Sequence, residues 1–387
     1  MMPPSTKRIA INFGGGYVPG LNAVIMGAVL AANEIGWEVV GIRDGFDGLL
    51  FPERYGDSGL VPLGRDLAER MLVASGSVLG TAARSDPFHV RIADSDGMLG
   101  EVDRSDALLE MLRAQGIDAV ISVAGTRALS ILLKLSRKGL NTVVVPKSIE
   151  NDMAATDLSF GFSSALSFAA ETIDRARQAA EATRQIGVIE VPGEHAGWLA
   201  LQSGTAVCAD AILIPEIPYD LHKVAARLRE KAKAGRSHAL IVVAEGAVAV
   251  NDQAESSGTL PMDSLRASLS PGASGESGAY VIGKSGRIAE SVALELQRLT
   301  HHETFALVLG ELVRGGPPTV SDRQLGLSYG AAAVRALHED RSGAMVSFQP
   351  PKLKFEPLLN SINKVRIVPA DSAFVQVART LGISLGD

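Results

Sequence analysis

The stretch VVVPKSIENDMAATD, residues 143–157, ends an apolar β-branched run at Pro146 and then supplies a lysine, a hydroxyl, an amide and two acids. Glu150 and Asp152 stand two apart, so in an extended segment their carboxylates face the same side. One could accept a proton from an attacking hydroxyl while the other orients the acceptor or a metal-bound water. Lys147 offers a compact cation for a phosphoryl group, and Ser148 and Asn151 add neutral hydrogen-bonding groups. An Asx-type turn capping a helix uses the same residue types, so this stretch alone leaves both readings open.

Other loops are friendly to anions. Gly14, Gly15 and Gly16 stand between the run RIAINF and a helical stretch. Backbone N–H groups and a helix N-terminus can cradle an anion there. A tight turn without a ligand explains three glycines equally well. Arg84 lies in GSVLGTAARSDPF, and Gly125, Thr126 and Arg127 lead from a strand into a helix with no acid to hold a metal. Arginine suits a phosphoryl oxygen. VIEVPGEHAG presents Pro192, Gly193, Glu194 and His195, LIPE presents Glu216, and LGELVRGGPP sets Glu311 and Arg314 beside a Gly-Gly pair. A lone histidine such as His195 is more often structural than catalytic. No cluster has zinc-ligand spacing and no serine sits in a G-x-S-x-G elbow. Anion-friendly loops, scattered cations and paired carboxylates are the chemistry of phosphoryl transfer.

The elements that must position these groups are legible as β-branched runs at 8–13, 37–42, 118–124, 142–146, 186–191, 211–216, 239–246 and 305–310. Stretches with helical spacing lie between them, for example 22–36, 164–185 and 220–235. Continuous apolar strands alternating with amphipathic helices indicate parallel sheets covered on both faces. So many strands exceed one ordinary doubly wound sheet, and two α/β domains are expected. Ligands in such sheets bind outside the carboxyl ends of strands, where the loops above lie. Residues 251–278, rich in Ser, Gly and Pro, read as a surface excursion.

The 387 residues suffice for two sizeable cores. A net charge of −6 and no basic stripe disfavour a nucleic-acid partner. The single cysteine, Cys208, excludes an internal disulfide and fits a reducing cytosol; a small buried hydrophobe is its expected role. The opening MMPPSTKR has no apolar signal region, and no apolar run reaches about 18 residues, so a cytoplasmic protein without a membrane partner is expected.

The order of loops resembles the phosphofructokinase A-type family over nearly the whole chain. GGGYVPGLNAVIMG is similar to that family's GGxxPGxN loop with one extra residue, and LGTAARSDPF to its LGT/S-x-R-x-PF loop. PKSIENDMAATDLSFGFSSA resembles PKTIDND…GTD…TFGF, and LVLGELVRGGPPTVSDR resembles VLGHxQRGGxP…DR. The tail VRIVPADSAFVQVARTLGISLGD is similar to the pyrophosphate-dependent branch, the diphosphate–fructose-6-phosphate 1-phosphotransferases.

The resemblance implies an α/β fold class of two Rossmann-like three-layer domains with mainly parallel sheets and the active site in the interdomain cleft. It implies a donor domain from 1–161 plus 313–360, and an acceptor domain from 162–312 plus 361–387. Homodimers or homotetramers are implied, and transfer of a phosphoryl group to the 1-hydroxyl of fructose 6-phosphate. Carried over by residue, the catalytic positions are Glu150, Asp152, Lys147 and Arg84. Gly14, Gly15, Gly16, Gly125, Thr126 and Arg127 fall at the donor phosphates. Ser148, Asn151, Pro192, Gly193, Glu194, Glu216, Glu311 and Arg314 fall at the acceptor. A lysine at position 147 is typical of members that use pyrophosphate rather than ATP, its charge taking the place of the missing nucleotide phosphate. Mg2+ is implied too, with Asp152 as its ligand.

The resemblance departs at four places. Glu150 stands for the family's catalytic aspartate, one methylene longer; a shift of about 1 Å can cost on the order of 100-fold unless the site is rebuilt around it. Thr126 stands for the donor loop's metal-holding aspartate, with Arg127 beside it as a fixed cation. Phe305, Gln185 and Glu311 replace two arginines and a histidine, and Pro192-Gly193-Glu194 replaces the motif MGR. These exchanges remove much of what attracts a 6-phosphate dianion. Three readings therefore stand: a pyrophosphate-dependent phosphofructokinase with an unusual site, a same-fold phosphotransferase for a non-phosphorylated or cationic acceptor, and a catalytically silent regulatory or assembly subunit.

Overall fold

Strands that are apolar on both faces can be satisfied only inside sheets with helices on either side, and the runs above pair in that way. The structure, a computed structural model, describes residues 7–56, 58–72, 74–82, 85–93, 99–250 and 287–387. In chain order come β1 (Arg8–Phe13), α1 (Leu21–Glu34), β2 (Glu38–Ile42), α2 (Asp47–Leu50), β3 (Leu60–Pro62) and α3 (Arg65–Met71). The antiparallel pair β4 (Val90–Ala93) and β5 (Leu99–Val102) follows. Then come α4 (Ser105–Ala114), β6 (Ala119–Ala124), α5 (Thr126–Arg137), β7 (Thr142–Ser148), β8 (Phe160–Gly161) and α6 (Phe162–Thr183). Next are β9 (Ile186–Val191), α7 (Trp198–Ala206), β10 (Ala211–Leu213), α8 (Leu221–Lys233) and β11 (Ala239–Ala244). The described chain ends with α9 (Arg287–Thr300), β12 (Thr304–Val308), α10 (Val320–His338), β13 (Ala344–Gln349), β14 (Lys352–Pro357) and α11 (Ala373–Thr380).

Two units result. The first comprises Met1–Ser148, Met153–Ser164 and Arg314–Val365; the second comprises Ile149–Asp152, Ala165–Val313 and Arg366–Asp387. The first unit holds a sheet in the order β14-β13-β7-β6-β1-β2-β3, with β8 added beside β7. Its central strands are parallel, and β14 and β3 run antiparallel at the edges. Leu108, Leu112 and Leu129 of α4 and α5 pack with Ala10, Val120 and Val144 on one face. On the other, α1 and α10 lie so close that a Cβ added at Gly330 would be 2.1 Å from the Val24 carbonyl oxygen. The chain leaves β1 for β2 on one side and for β6 on the other, which makes β1/β6 the switch point of this sheet.

The second unit holds a four-stranded sheet, β10-β11-β9-β12, parallel throughout. Ile186, Val188, Ile241 and Val243 bury one face against Val224 and Leu228 of α8 and Val292 and Leu296 of α9. The chain is thus an α/β protein of two Rossmann-like units with mainly parallel sheets.

Several boundaries differ from expectation for local reasons. β10 stops at Leu213, two residues before Pro215, which has no N–H for a ladder. β7 runs past Pro146 because β8 gives Lys147 and Ser148 strand partners, Phe160 and Gly161. β13 was not expected, since Ser347 and Gln349 interrupt its apolar character. Cys208 is exposed rather than buried, in a left-handed conformation (φ 49°) just beyond α7. The excursion at 251–278 lies outside the described residues. No helix among the described residues is long and apolar enough to cross a membrane.

Candidate active site

In the first unit the glycine loop closes over two cations. Lys147, a strand residue, is only 3% exposed, and its amine donates to the Gly16 carbonyl. Burial, and then the charge of Arg314, push its pKa down to about 7. Gly15 stands at φ 81°, a conformation that favours glycine, beside the lysine stem: a Cβ there would touch Lys147 Cε at an ordinary 3.9 Å. The Arg314 guanidinium donates to the Tyr17 carbonyl at 3.3 Å and lies 3.4 Å from where a Gly16 Cβ would be. Lys147, Gly15, Gly16 and Arg314 are thus brought together.

The glycine amides serve the fold more than the sequence suggests. Gly14 N–H donates to the Val123 carbonyl, extending the pairing of β1 with β6, and Gly15 N–H donates to the Ala82 carbonyl where Gly14 and Ala82 form a parallel bridge, each at 3.0 Å. Two amides expected to cradle an anion are therefore committed to backbone, and Gly16 is the exposed member of the loop. Gly125 caps α5 in extended conformation, and Thr126 and Arg127 open a first turn without an acid. That end of the helix carries the positive end of its dipole, and Arg127 is exposed there. Arg84 lies outside the described residues.

Among the described residues magnesium finds no ready-made cage of carboxylates. The α5 loop offers the Thr126 hydroxyl where a carboxylate would be needed. Among the described residues no group of three or more His, Cys, Asp or Glu side chains converges, Asp152 included. The described residues thus form no all-protein cage for a metal, which leaves only one or two carboxylates to join a donor's phosphates around it.

A small, water-sized recess opens at the switch point, lined by Asn12, Ser122, Gly45, Phe46, Ile131 and Leu132 among others. Asn12 and Ser122 face each other across β1 and β6 and are each 2% exposed. Among the described residues Asn12 Oδ1 and Ser122 Oγ have no hydrogen-bond partner. Sequence reading missed both, since a polar residue inside an apolar run gives no sign of which way it faces.

In the second unit the segment Ile149–Asp152 turns sharply. Asn151 is 2% exposed and left-handed (φ 56°), a conformation asparagine tolerates better than most residues. Glu150 and Asp152 on either side of it are half-buried. The Asp152 carbonyl accepts from Arg366 N–H at 2.8 Å. The Asn151 carbonyl accepts from the Arg366 guanidinium at 3.4 Å. That guanidinium lies 4.1 Å over the Trp198 ring. Trp198 carries no signal in the sequence, and Arg366 enters it only within the tail VRIVPADSAFVQVARTLGISLGD, with no role of its own.

The remaining acceptor candidates are spread over the second unit. Pro192 and Gly193 are buried after β9, and the Gly193 carbonyl accepts from Gly246 N–H at 3.1 Å. Glu194 is exposed, 4.0 Å from His195. Glu311 is exposed in the short turn Gly310–Arg314 after β12. Glu216 ties two backbone segments together. Both its oxygens accept from Gly197 N–H, at 3.0 and 3.1 Å, and Oε1 also accepts from Val368 N–H at 2.8 Å. Burial raises its pKa, and those backbone bonds oppose the rise. The chain turns back after Pro215, which brings the carboxylate to the start of α7.

Each unit is an α/β body with a mainly parallel sheet, and cations and carboxylates stand at the strand ends. Residues 8–337 match the family described as Phosphofructokinase, and the chain belongs to that family. It is 36% identical over 391 residues, the whole of both chains, to ATP-dependent 6-phosphofructokinase 2 of Clostridium perfringens. It is 37% identical over 387 residues to ATP-dependent 6-phosphofructokinase of Chloroflexus aurantiacus, covering 100% of this chain and 99% of that one. Among solved structures, phosphofructokinase from Saccharomyces cerevisiae superposes with a TM-score of 0.70 at 26% identity, over 99% of this chain and 48% of that one. The pyrophosphate-dependent phosphofructokinase of Marinobacter aquaeolei superposes with a TM-score of 0.73 at 19% identity, over 98% and 92%, a likeness of fold.

Proposed function

We propose that this protein is a 6-phosphofructokinase that moves a phosphoryl group from pyrophosphate to the 1-hydroxyl of fructose 6-phosphate, in the cytoplasm and as a homodimer or homotetramer. Lys147 carries the donor assignment: a buried amine closed under Gly16 beside Arg314 is a fixed cationic floor for a small polyanion. The first unit then supplies the donor groups, with Arg127 and Arg84 adding charge. The second supplies Glu150, Asp152 and most of the acceptor groups, while Ser148 and Arg314 belong to the first.

In this reading Glu150 takes the proton of the acceptor hydroxyl as its oxygen forms a bond to phosphorus. The bond from that phosphorus to the bridging oxygen breaks, and phosphate leaves with the electron pair. Asp152 orients the acceptor, and Lys147 and Arg314 stabilise charge on the phosphoryl oxygens. Phosphofructokinases generally use magnesium; here it would enter bound to the donor's phosphates and be joined by one or two carboxylates of the chain at most.

A second reading gives ATP as the donor. Relatives at 36% and 37% identity are named ATP-dependent.

Phosphorus NMR with magnesium and either donor, against fructose 6-phosphate and a panel of non-phosphorylated sugars and amino sugars, decides between them. Loss of pyrophosphate with fructose 6-phosphate supports the proposal, and loss of ATP instead selects the second reading. Turnover confined to a non-phosphorylated acceptor rejects fructose 6-phosphate, and no turnover with any pair rejects the enzyme. Glu150→Gln keeps size but cannot take the proton; kcat is expected to fall about 100- to 10,000-fold with substrate binding retained.

A further inference from the structure

We infer that Arg366, stacked on Trp198, is the positioning residue that holds the Glu150–Asp152 turn in its working shape. The inference rests on the catalytic reading of Glu150 given above. Asn151 stands in a left-handed conformation between the two acids, so the directions of both carboxylates depend on that turn being held. Arg366 holds it twice, through its backbone N–H to the Asp152 carbonyl at 2.8 Å and through its guanidinium to the Asn151 carbonyl at 3.4 Å.

The guanidinium is itself fixed. It lies 4.1 Å over the Trp198 ring, a distance at which the ring's negative face attracts a planar cation. The same indole donates its N–H back to the Arg366 carbonyl at 2.8 Å, so side chain and backbone of Arg366 grip one ring. Phe374 of α11 closes on the ring edge-on, with centroids 5.9 Å apart. Glu216 completes the brace by accepting from Gly197 N–H, next to Trp198, and from Val368 N–H, two residues after Arg366. Each component is in the second unit.

Removing the side chain leaves the backbone bond from Arg366 to Asp152, so Arg366→Ala isolates the part played by the guanidinium. In the full chain, hydrogen exchange of residues 149–153 is expected to quicken roughly tenfold. The kcat for phosphoryl transfer is expected to fall about 100-fold, with KM for donor and acceptor within about twofold. Millimolar free guanidinium is expected to restore part of the kcat. Arg366→Lys keeps the charge without the planar stack and is expected to recover less than a tenth of it. Should Arg366→Ala fail to fold, Arg366→Met, which keeps an apolar stem over Trp198 but no donor for Asn151, serves the same measurements.

Unchanged exchange at 149–153 would overturn the inference. So would full rescue by lysine, which would leave only charge at work, or a raised acceptor KM with kcat preserved, which would make Arg366 a substrate ligand. Faster exchange in the variant, with no donor turned over by the wild-type protein, would uphold the brace and reject the catalytic reading.

Discussion

Lys147 surrenders most of its hydration to sit beneath Gly16, and its acidity records this. Its pKa falls from 10.5 to about 7, by burial first and by the Arg314 charge second. Between those values the unfolded chain binds a proton that the folded chain does not, so this group's contribution to stability rises as pH climbs from about 7 to 10.5. Donor binding runs the other way, since a polyanion gains from the protonated amine. The donor KM is therefore expected to rise roughly tenfold between about pH 6 and 8.5, a change of about 1.4 kcal/mol. Lys147→Met should show a high KM with no such slope. Steady-state kinetics across that range would check both, and a flat wild-type profile would remove Lys147 from the donor site. The sequence named this lysine but placed it in a loop; only its pairing with Phe160 makes it a strand residue.

Among the elements, α1 and α10 meet backbone to backbone. A Cβ at Gly330 would sit 2.1 Å from the Val24 carbonyl, an atom that cannot swing aside. Gly330→Ala is expected to destabilise the protein by about 1–3 kcal/mol or more, read from chemical denaturation. Gly64, at φ −90° with nothing near its absent Cβ, is the control: Gly64→Ala should cost no more than about 1 kcal/mol, the loss of a favourable N-cap for α3. A similar loss in both variants would mean that helix contact is not the cause. At this scale the sequence was largely legible, because apolar runs and helical spacing are local. It failed at β13 and β14, where Ser347, Gln349 and alternating lysines hide strands at the sheet's edge.

For the whole molecule, neither unit is one stretch of chain. The first takes Arg314–Val365 from beyond the second, and with it α10, β13 and β14. A chain ending at Val313 would leave the buried face of α1, including Ala23, Val24 and Ala28, without its covering helix. Such a chain is expected to lose cooperative thermal melting, as followed by circular dichroism. A sharp transition like that of the full chain would show that the first unit folds without its returning segment.

The sequence by itself determined the α/β class, most of the parallel strands, the family, and Lys147, Glu150 and Asp152 as the residues to watch, because each is written in a short continuous motif. Only the tertiary structure decided what surrounds them. It committed two glycine amides to backbone, gave Glu216 a brace to hold, and brought Arg366 and Trp198 to the Asn151 turn. The decisive pairs are far apart in the chain: Lys147 and Gly16 by 131 residues, Arg366 and Asn151 by 215, Arg314 and Tyr17 by 297. Local patterning fixes which face of an element is apolar, whereas such pairs form only when strands and helices have packed and each buried polar group must find a partner.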